Sequence, residues 1–334
     1  RFDEINATLG ADYFKPFFEN TDFLNYVGVK SKRPTIIFGN PPFVCNPRGA
    51  TWKNTYAEFV DRCLEVASPL AAMHFILPLS IAFSRDYRLL REKMRADRYT
   101  VFASHFDNIP DTLFKSGKPQ NSNTNKANSQ RCTILTAFSS AEYRLYSSPL
   151  HRWNTADRAT LLSGRARFYD VTGYQLSDQF IRPASDAIAL YLQGQNFSHR
   201  LGDLLDEQGK NRLFVGSVAR NYISIRGEAC SGVHEFGLPN REVFYRFLGI
   251  IASDVFFQYW LSIGDGFHVT RSNILDFPVS DSLSALVDAS VPRIKSMWSR
   301  RRQFQKKKLN SGKAVHSYDF SAVAPDFQRV LRQE

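Results

Sequence analysis

The stretch Thr35-Ile36-Ile37-Phe38-Gly39-Asn40-Pro41-Pro42-Phe43 decides how the chain is read. Thr35 to Phe38 is a short apolar run that stops at a turn, the pattern of a buried parallel strand. Asn40-Pro41-Pro42-Phe43 follows at once. Two prolines fix φ and remove two N–H donors, so the turn is stiff and its carbonyls are free to face a ligand. In a doubly wound sheet, ligands bind beyond the carboxyl ends of the strands, and the tetrapeptide stands at such an end. Average residue usage makes a chance match in a chain of this length an event on the order of 1 in 100 or rarer.

Working outward, strand and helix alternate over residues 33–140. Tyr56 to Ala67 carries Phe59, Val60, Cys63, Leu64 and Ala67 at helical spacing. Ala72 to Leu77 is apolar and stops at Pro78, which reads as a strand. Asp86 to Ala96 reads as a helix with Leu89, Leu90 and Met94 on one side and Arg and Lys on the other. Tyr99 to Phe106 and Arg131 to Phe138 read as two more strands. Such alternation implies a right-handed, largely parallel α/β sheet. The polar run Lys115 to Gln130 reads as a loop at one end of that sheet.

A polar stretch over about 147–165, with Arg152, Arg158 and Arg165, reads as a connection to a second unit of different rhythm. There, Ala184 to Gln193 predicts a helix, and Arg241 to Trp260 a helix or helix pair in a core. Ser282 to Lys308 predicts a last helix. From Arg293 to Lys313 there are nine Lys or Arg and no acid. The expected division is therefore 1–146, a connection over 147–178, and a smaller mixed α+β domain over 179–334 that ends in a basic helix.

The chain has 334 residues, enough for two domains. No apolar run is long enough to cross a membrane, and the opening is no signal peptide. Arg1 as first residue fits a chain cut from something longer. Net charge is +11 and the pI about 9.5, which suits a polyanionic partner. Cys45, Cys63, Cys132 and Cys230 form no CxxC pair and read as reduced thiols of a cytoplasmic protein, mostly buried. The seven histidines show no ligand spacing, so no metal is expected.

The groups at the turn define a chemistry. The lone pair of an exocyclic amine such as adenine N6 is delocalised, so the nitrogen is a poor nucleophile. Two acceptors on its two protons draw it towards tetrahedral geometry and free that pair. The Asn40 side-chain oxygen and the Pro41 carbonyl are two such acceptors. Phe43 offers a flat face for a base, worth roughly 1–3 kcal/mol per stacked base. Positioning carries such a step, with no covalent intermediate.

On these residues the chain resembles the gamma-group adenine-N6 DNA methyltransferases of type I and type II restriction–modification systems. Their order is cofactor motifs, Asn-Pro-Pro-Tyr/Phe, the rest of a Rossmann-like sheet, then a target recognition domain. The resemblance covers about residues 20–330. It implies that Asp22 and Phe23 hold the adenine of S-adenosylmethionine, and Glu4 its ribose. Ala72 to Ser80 resembles the family's next strand and Pro-x-Ser turn, and Phe102 to Phe106, Leu113-Phe114 and Arg131 to Leu135 its closing hairpin. An aromatic there stacks on the extruded base: Phe114, with Phe106 in reserve. His105 reads as structural. Phe247 to Ser253, Gly264 to His268 and Phe277 to Val279 follow the loose pattern of the recognition domain. Duplex DNA is the implied partner, with a flipped-out adenine. Arg293, Arg300, Arg301, Arg302, Lys306, Lys307 and Lys308 are then expected along phosphates.

One departure is plain. The family binds its cofactor over a Phe-x-Gly-x-Gly-like loop, where glycines allow close approach, and this sequence contains no such loop in strand context. The expectation is a partial sheet, its later strands only, completed by a preceding segment or a partner subunit. Two other readings stay open: methylation of RNA or a protein amide, and a non-catalytic DNA-binding subunit on a decayed methyltransferase fold.

Overall fold

The computed structural model describes residues 22–25, 35–113, 130–161, 167–174, 178–194, 197–310 and 313–327. Six strands form the first sheet: β1 (Thr35–Gly39), β2 (Ala71–Pro78), β3 (Tyr99–Phe106), β4 (Cys132–Ser139), β5 (Arg144–His151) and β6 (Tyr169–Asp170). Their order is β1-β2-β4-β3-β5-β6. β1 runs parallel to β2, and β3 to β5. β4 lies antiparallel between β2 and β3, and β6 is antiparallel to β5. The sheet is thus mixed, not largely parallel, because β4 returns directly beside β3 without a crossover. It also extends past the expected boundary, since β5 and β6 lie in or overlap the stretch read as a connection.

Helices α1 (Thr55–Val66) and α3 (Arg88–Ala96), with the short α2 (Ser80–Phe83) between them, cross from strand to strand. Tyr56, Val60, Cys63, Leu64, Leu90 and Met94 join Met73, Phe75, Val101, Ala103, Leu135 and Ala137 in one core. Leu89 faces outward instead, and Arg91 takes the buried position. Its guanidinium donates to the carbonyls of Ile81 (2.8 Å) and Ser84 (3.0 Å) and to the Asp178 carboxylate (2.6 Å). The opposite face of the sheet is half open. Among the described residues β1 is the outermost strand, with Ile36 63% and Phe38 76% exposed, so it is not the buried strand that its composition suggests. Phe38 stacks on His74, and Phe102 on Tyr146, along that face.

The second half is built on β8 (Asn211–Gly216), β9 (Ile225–Arg226), β10 (Val233–Leu238), β12 (Gln305–Asn310) and β13 (Lys313–Tyr318). They form a sheet of order β10-β8-β9-β13-β12, antiparallel throughout. β7 (Phe197–Arg200) pairs with β11 (Pro278–Ser280) separately. α4 (Asp186–Gly194) matches its expected place, and the aromatic run is two helices, α5 (Arg241–Ala252) and α6 (Asp254–Ile263). Ser253 divides them by capping α6, accepting from Phe256 N. α7 (Arg271–Leu275) is short, and α8 (Asp281–Ser299) crosses α5 closely. A Cβ at Gly249 would lie 2.3 Å from Ile294 Cδ1, so any larger residue there would push the Ile294 side chain aside. The expected basic helix is corrected here: α8 stops at Ser299, a 3₁₀ turn spans Arg301–Phe304, and Lys306 to Lys308 lie on strand β12.

The two halves meet at the carboxyl end of β3. Asp107 is fully buried and accepts from Arg131 Nε (2.8 Å) and Arg152 Nε (2.9 Å). Each arginine reaches on to a carbonyl of the second half, Arg131 to Gly266 (3.3 Å) and Arg152 to Arg220 (3.1 Å). Arg182, also fully buried, donates to the Gly264 carbonyl and lies over the Phe83 ring. Burial pushes its guanidinium down to about 9, so it is still charged at neutral pH.

Two outcomes follow. Removing Asp107 leaves two guanidiniums without their anion, a change that costs about 3–5 kcal/mol for a buried pair. Arg131 and Arg152 keep some solvent contact, with side chains 17% and 30% exposed, so urea unfolding of Asp107→Ala should show a loss near the lower end of that range. His105 is wholly buried between Thr133 Oγ1 (2.9 Å) and Ser147 Oγ (3.1 Å). Burial, then Arg182 and His151, holds its pKa well below 6.5. The unfolded chain takes up that proton near pH 6.5, so the stability is complete above that pH and falls below it. The slope is up to about 1.4 kcal/mol per pH unit for one group. His151, lowered by burial, adds in the same sense. The urea midpoint should drop between pH 7 and 5.5, and less steeply in His105→Asn.

Candidate active site at the mouth of the sheet

Gly39 closes β1 against β2, where a Cβ would stand 2.7 Å from the Phe75 ring. Glycine lets the two strands and that ring pack together, and the next residue leaves the sheet. Register pairs Gly39 with Phe75, so Asn40 emerges on the side where β2 goes on to Pro78-Leu79-Ser80. Asn40 is exposed, and among the described residues its carboxamide has no protein partner. Pro41 is buried, Pro42 exposed and Phe43 half-buried. The four residues therefore form an irregular stretch anchored at Pro41 and Phe43, with the amide free.

What holds Phe43 is a chain of aromatic contacts. Its ring meets Tyr56 edge to face, with centroids 6.2 Å apart and planes at 79°. Tyr56 is fully buried, tilts against Tyr87 at 5.0 Å and shares a hydrogen bond of 2.9 Å with Ser80 Oγ. Tyr87 OH donates to Asn54 Oδ1 at 2.7 Å. Burial raises the pKa of both phenols, so they stay protonated. Between Phe43 and α1 the backbone folds on itself, with Thr55 N bonded to Val44 O and Asn46 N to Lys53 O, both at 2.9 Å. The Asn46 side chain closes this loop, donating to Trp52 O (2.9 Å) and accepting from Thr55 Oγ1 (2.6 Å).

Where β2 and β3 end and β4 begins lies a cavity of about 260 Å³, joined to Phe43 through the Ser80–Tyr56 hydrogen bond. Pro78, Ser80, Asn108, Gln130, Arg131 and Asp265 line it, together with Phe83. A second cavity of about 360 Å³ shares Phe83 and Asp265 and runs on past Arg85, His268 and Asn273. Asp265 shapes the wall between them: its carboxylate accepts from Phe267 N (2.8 Å) and His268 N (2.6 Å) and meets His268 Nδ1. The mouth of the sheet thus faces polar groups from both halves of the chain.

The other expected residues fare differently. Asp22 opens the 3₁₀ turn Phe23–Asn25 and accepts from Leu24 N (3.1 Å) and Asn25 Nδ2 (2.8 Å). Phe23 stacks on Phe59 of α1 at 5.4 Å, so this pair sits against α1. Phe106 is 4% exposed and packed on His151, which leaves no face for a base. Phe114 and Glu4 lie outside the described residues, as does most of the Lys115 to Gln130 loop. Arg293, Arg300, Arg302, Lys306 and Lys307 are exposed. Arg301 is partly covered and lies over the Trp298 ring at 4.8 Å. Lys308 stands on β12 beside them. Cys63 and Cys132 are buried, whereas Cys45 and Cys230 are exposed and not mostly hidden as expected; all four are free thiols. Among the described residues no group of three or more His, Cys, Asp or Glu could hold a metal ion. No helix among them is long and apolar enough to cross a membrane. The sequence reading missed Tyr56, Asp107, Arg131 and Asp265 as parts of the site. Only Asp265 carried a signal, its place between Gly264 and Gly266.

No protein-family model matches the chain, and no curated protein does. Among solved structures, the Type IIL restriction-modification enzyme MmeI in complex with DNA is similar over 89% of this chain and 55% of that one. Identity is 11% and the TM-score 0.47. The ATP-dependent Type ISP restriction-modification enzyme LlaBIII bound to DNA matches over 76% of this chain and 18% of that one, at 10% identity and TM-score 0.34. The DrdV–DNA complex matches over 45% and 17%, at 14% identity and TM-score 0.30. The chain therefore spans between 17% and 55% of the length of these proteins. Likeness at this level carries no functional weight, which rests on the site itself.

The geometry separates packing from chemistry at adjacent residues. Gly39→Ala should lower stability by about 1–3 kcal/mol, the usual cost of an overpacked contact. Asn40→Ala, at an exposed position without partners, should change it by less than about 0.5 kcal/mol. Equal losses at both positions in urea titrations would mean that Asn40 is a structural residue.

Proposed function

We propose that the chain carries the base-binding half of a site-specific adenine-N6 DNA methyltransferase of the gamma group, in a restriction–modification or related defence system. The observation that carries this reading is the Asn40 carboxamide, free at the carboxyl end of β1, next to a Phe43 ring fixed by Tyr56. In this reading the first sheet and its helices, up to β6 (Tyr169–Asp170), hold the base site, and the residues from 179 on recognise DNA. Asn40 Oδ1 and the Pro41 carbonyl accept hydrogen bonds from the two N6–H groups and raise the nucleophilicity of the nitrogen. Phe43 stacks on the ring, and the cavity by Ser80 and Arg131 gives the extruded nucleotide room. Extrusion from the duplex costs a few kcal/mol, offset by stacking and by phosphate contacts to the basic segment. S-adenosylmethionine supplies the methyl group; N6 gains it and gives up a proton.

The residues described fit the base better than the cofactor. Asp22 and Phe23 are placed to serve its adenine only if a neighbouring segment completes the site against α1, and no glycine-rich loop occurs in this sequence. We therefore assign that loop to a preceding segment or a partner polypeptide. Among the described residues β1 is the outermost strand of its sheet, with Ile36 and Phe38 exposed on one face beside the motif, and such a segment would add there. The net charge of +11 and the basic run from Arg293 favour DNA over a protein amide as acceptor.

The test uses the protein as its cell makes it, with any segment to which it is joined or with which it co-purifies. Transfer of labelled methyl from S-adenosylmethionine to duplex DNA should fall at least a hundredfold in Asn40→Ala, while DNA affinity stays within about twofold. Undiminished transfer in that variant would sink the assignment. No transfer by the unaltered protein, with DNA still bound, would favour the non-catalytic reading.

A further inference from the structure

We infer that the β12–β13 hairpin, together with Arg226 of the adjacent β9, reads base edges in the major groove of duplex DNA, with Gln305, His316 and Arg226 as the reading groups. The inference rests on duplex DNA being the partner, and it gives the basic segment a role beyond lying along phosphates.

The observations are these. Among the described residues β12 is the outer strand of its sheet and pairs with β13 alone, in register from Gln305↔Tyr318 to Asn310↔Lys313. A two-stranded ribbon is narrow enough for the major groove, which is about 12 Å wide. Residues directly opposite one another share a face of the ribbon, so Gln305, Lys307, His316 and Tyr318 stand on one side. That side is concave. With the neighbouring β9 and the residues after it, it encloses a cavity of about 420 Å³ lined by Arg226, Glu228, Cys230, Gln305 and His316.

The groups there have hydrogen-bonding capacity to spare. Gln305 Nε2 meets His316 Nδ1 at 2.5 Å, which leaves the Gln305 oxygen and His316 Nε2 open. Arg226 donates one N–H to the His316 carbonyl at 3.2 Å, while its Nε is buried with no partner among the described residues. A glutamine pairs with adenine and an arginine with guanine in the major groove, and Glu228 is of the type that accepts from cytosine. Lys306 and Lys307 are exposed along the strand, and Arg300 and Arg302 just before it. Lys307 is on the face of Gln305 and Lys306 on the other, so the strand presents positive charge suited to phosphates on both sides.

The hairpin also lies near the mouth of the first sheet. Arg152, held by Asp107, bonds the Arg220 carbonyl at 3.1 Å. Two residues on, Tyr222 OH meets Ser317 Oγ of β13 at 3.4 Å. Two residues of extended chain span about 7 Å, so a duplex seated on the hairpin passes close to the end of the sheet that carries Asn40.

The test needs binding only, so its result is independent of methyl transfer. The full chain, with any partner it requires for solubility, is used to select from a pool of duplexes with a randomised core, and the bound fraction is sequenced. The unaltered protein should enrich a motif. Gln305→Ala and His316→Ala should each erase preference at one or two positions of it. They should weaken the enriched duplex by roughly 5- to 150-fold and leave affinity for the starting pool within about twofold. Lys306→Ala with Lys307→Ala should instead weaken every duplex, and lower the slope of log affinity against log salt by about 2. Gln305→Glu, which keeps the size of the side chain, should shift the preferred base. An enriched motif unchanged by all three substitutions in the cavity, no motif from the unaltered protein, or an unaltered salt slope in the double lysine variant would each overturn the inference. Equal binding of single-stranded RNA would do the same.

Discussion

A carboxylate with no access to water must be paired, and Asp107 is paired twice. It sits one residue beyond β3, and its two oxygens take one arginine from the start of β4 and one from the end of β5. Both arginines spend a further N–H on a carbonyl of the second half. A buried ion pair adds little net stability against a well-packed apolar substitute, but it tolerates few alternative arrangements. Here it fixes three strand ends relative to the Gly264–His268 loop and the Arg220–Arg226 segment. The cavity by Ser80, the wall made by Asp265 and the approach to the β12–β13 hairpin all depend on that fixation.

Positioning is the work this architecture does. The stretch at Asn40 has no freedom at its prolines, its aromatic ring is seated on a tyrosine that is itself hydrogen-bonded, and its one free functional group faces outward. A reaction that needs two acceptors at a set separation, with no metal and no covalent intermediate, asks for that kind of rigidity. The contrast with the open face of the first sheet is instructive. The site is stiff where the base is proposed to bind and uncovered where β1 leaves Ile36 and Phe38 in solvent.

Local patterns carried much of this into the sequence. β2, β3, β4 and α1 begin and end within a residue or so of where periodicity, Pro78 and the polar loop put them. Asn40 to Phe43 were legible because proline and asparagine constrain the backbone directly. Features made by distant pairs were not. β5 reads as a polar link because Ser147 and Ser148 look like surface residues, yet both are buried as partners of His105. The antiparallel place of β4 has no local signal at all. Asp107 and its arginines are 24 and 45 residues apart, beyond the reach of any spacing rule. The basic run misled in another way: its charges continue the pattern of α8, whereas the chain turns at Arg301–Phe304 and pairs with β13. Phe106 was offered as a base-stacking ring by the family resemblance alone; here His151 covers it.

The central claim is that the mouth of this sheet presents an adenine amine for methylation. Its most direct test is the nucleoside composition of duplex DNA after incubation with S-adenosylmethionine and the protein as its cell makes it, read by mass spectrometry. The account predicts N6-methyldeoxyadenosine as the new nucleoside. Methyl groups found only on cytosine, on RNA or on protein, or on nothing while DNA is bound, would contradict it.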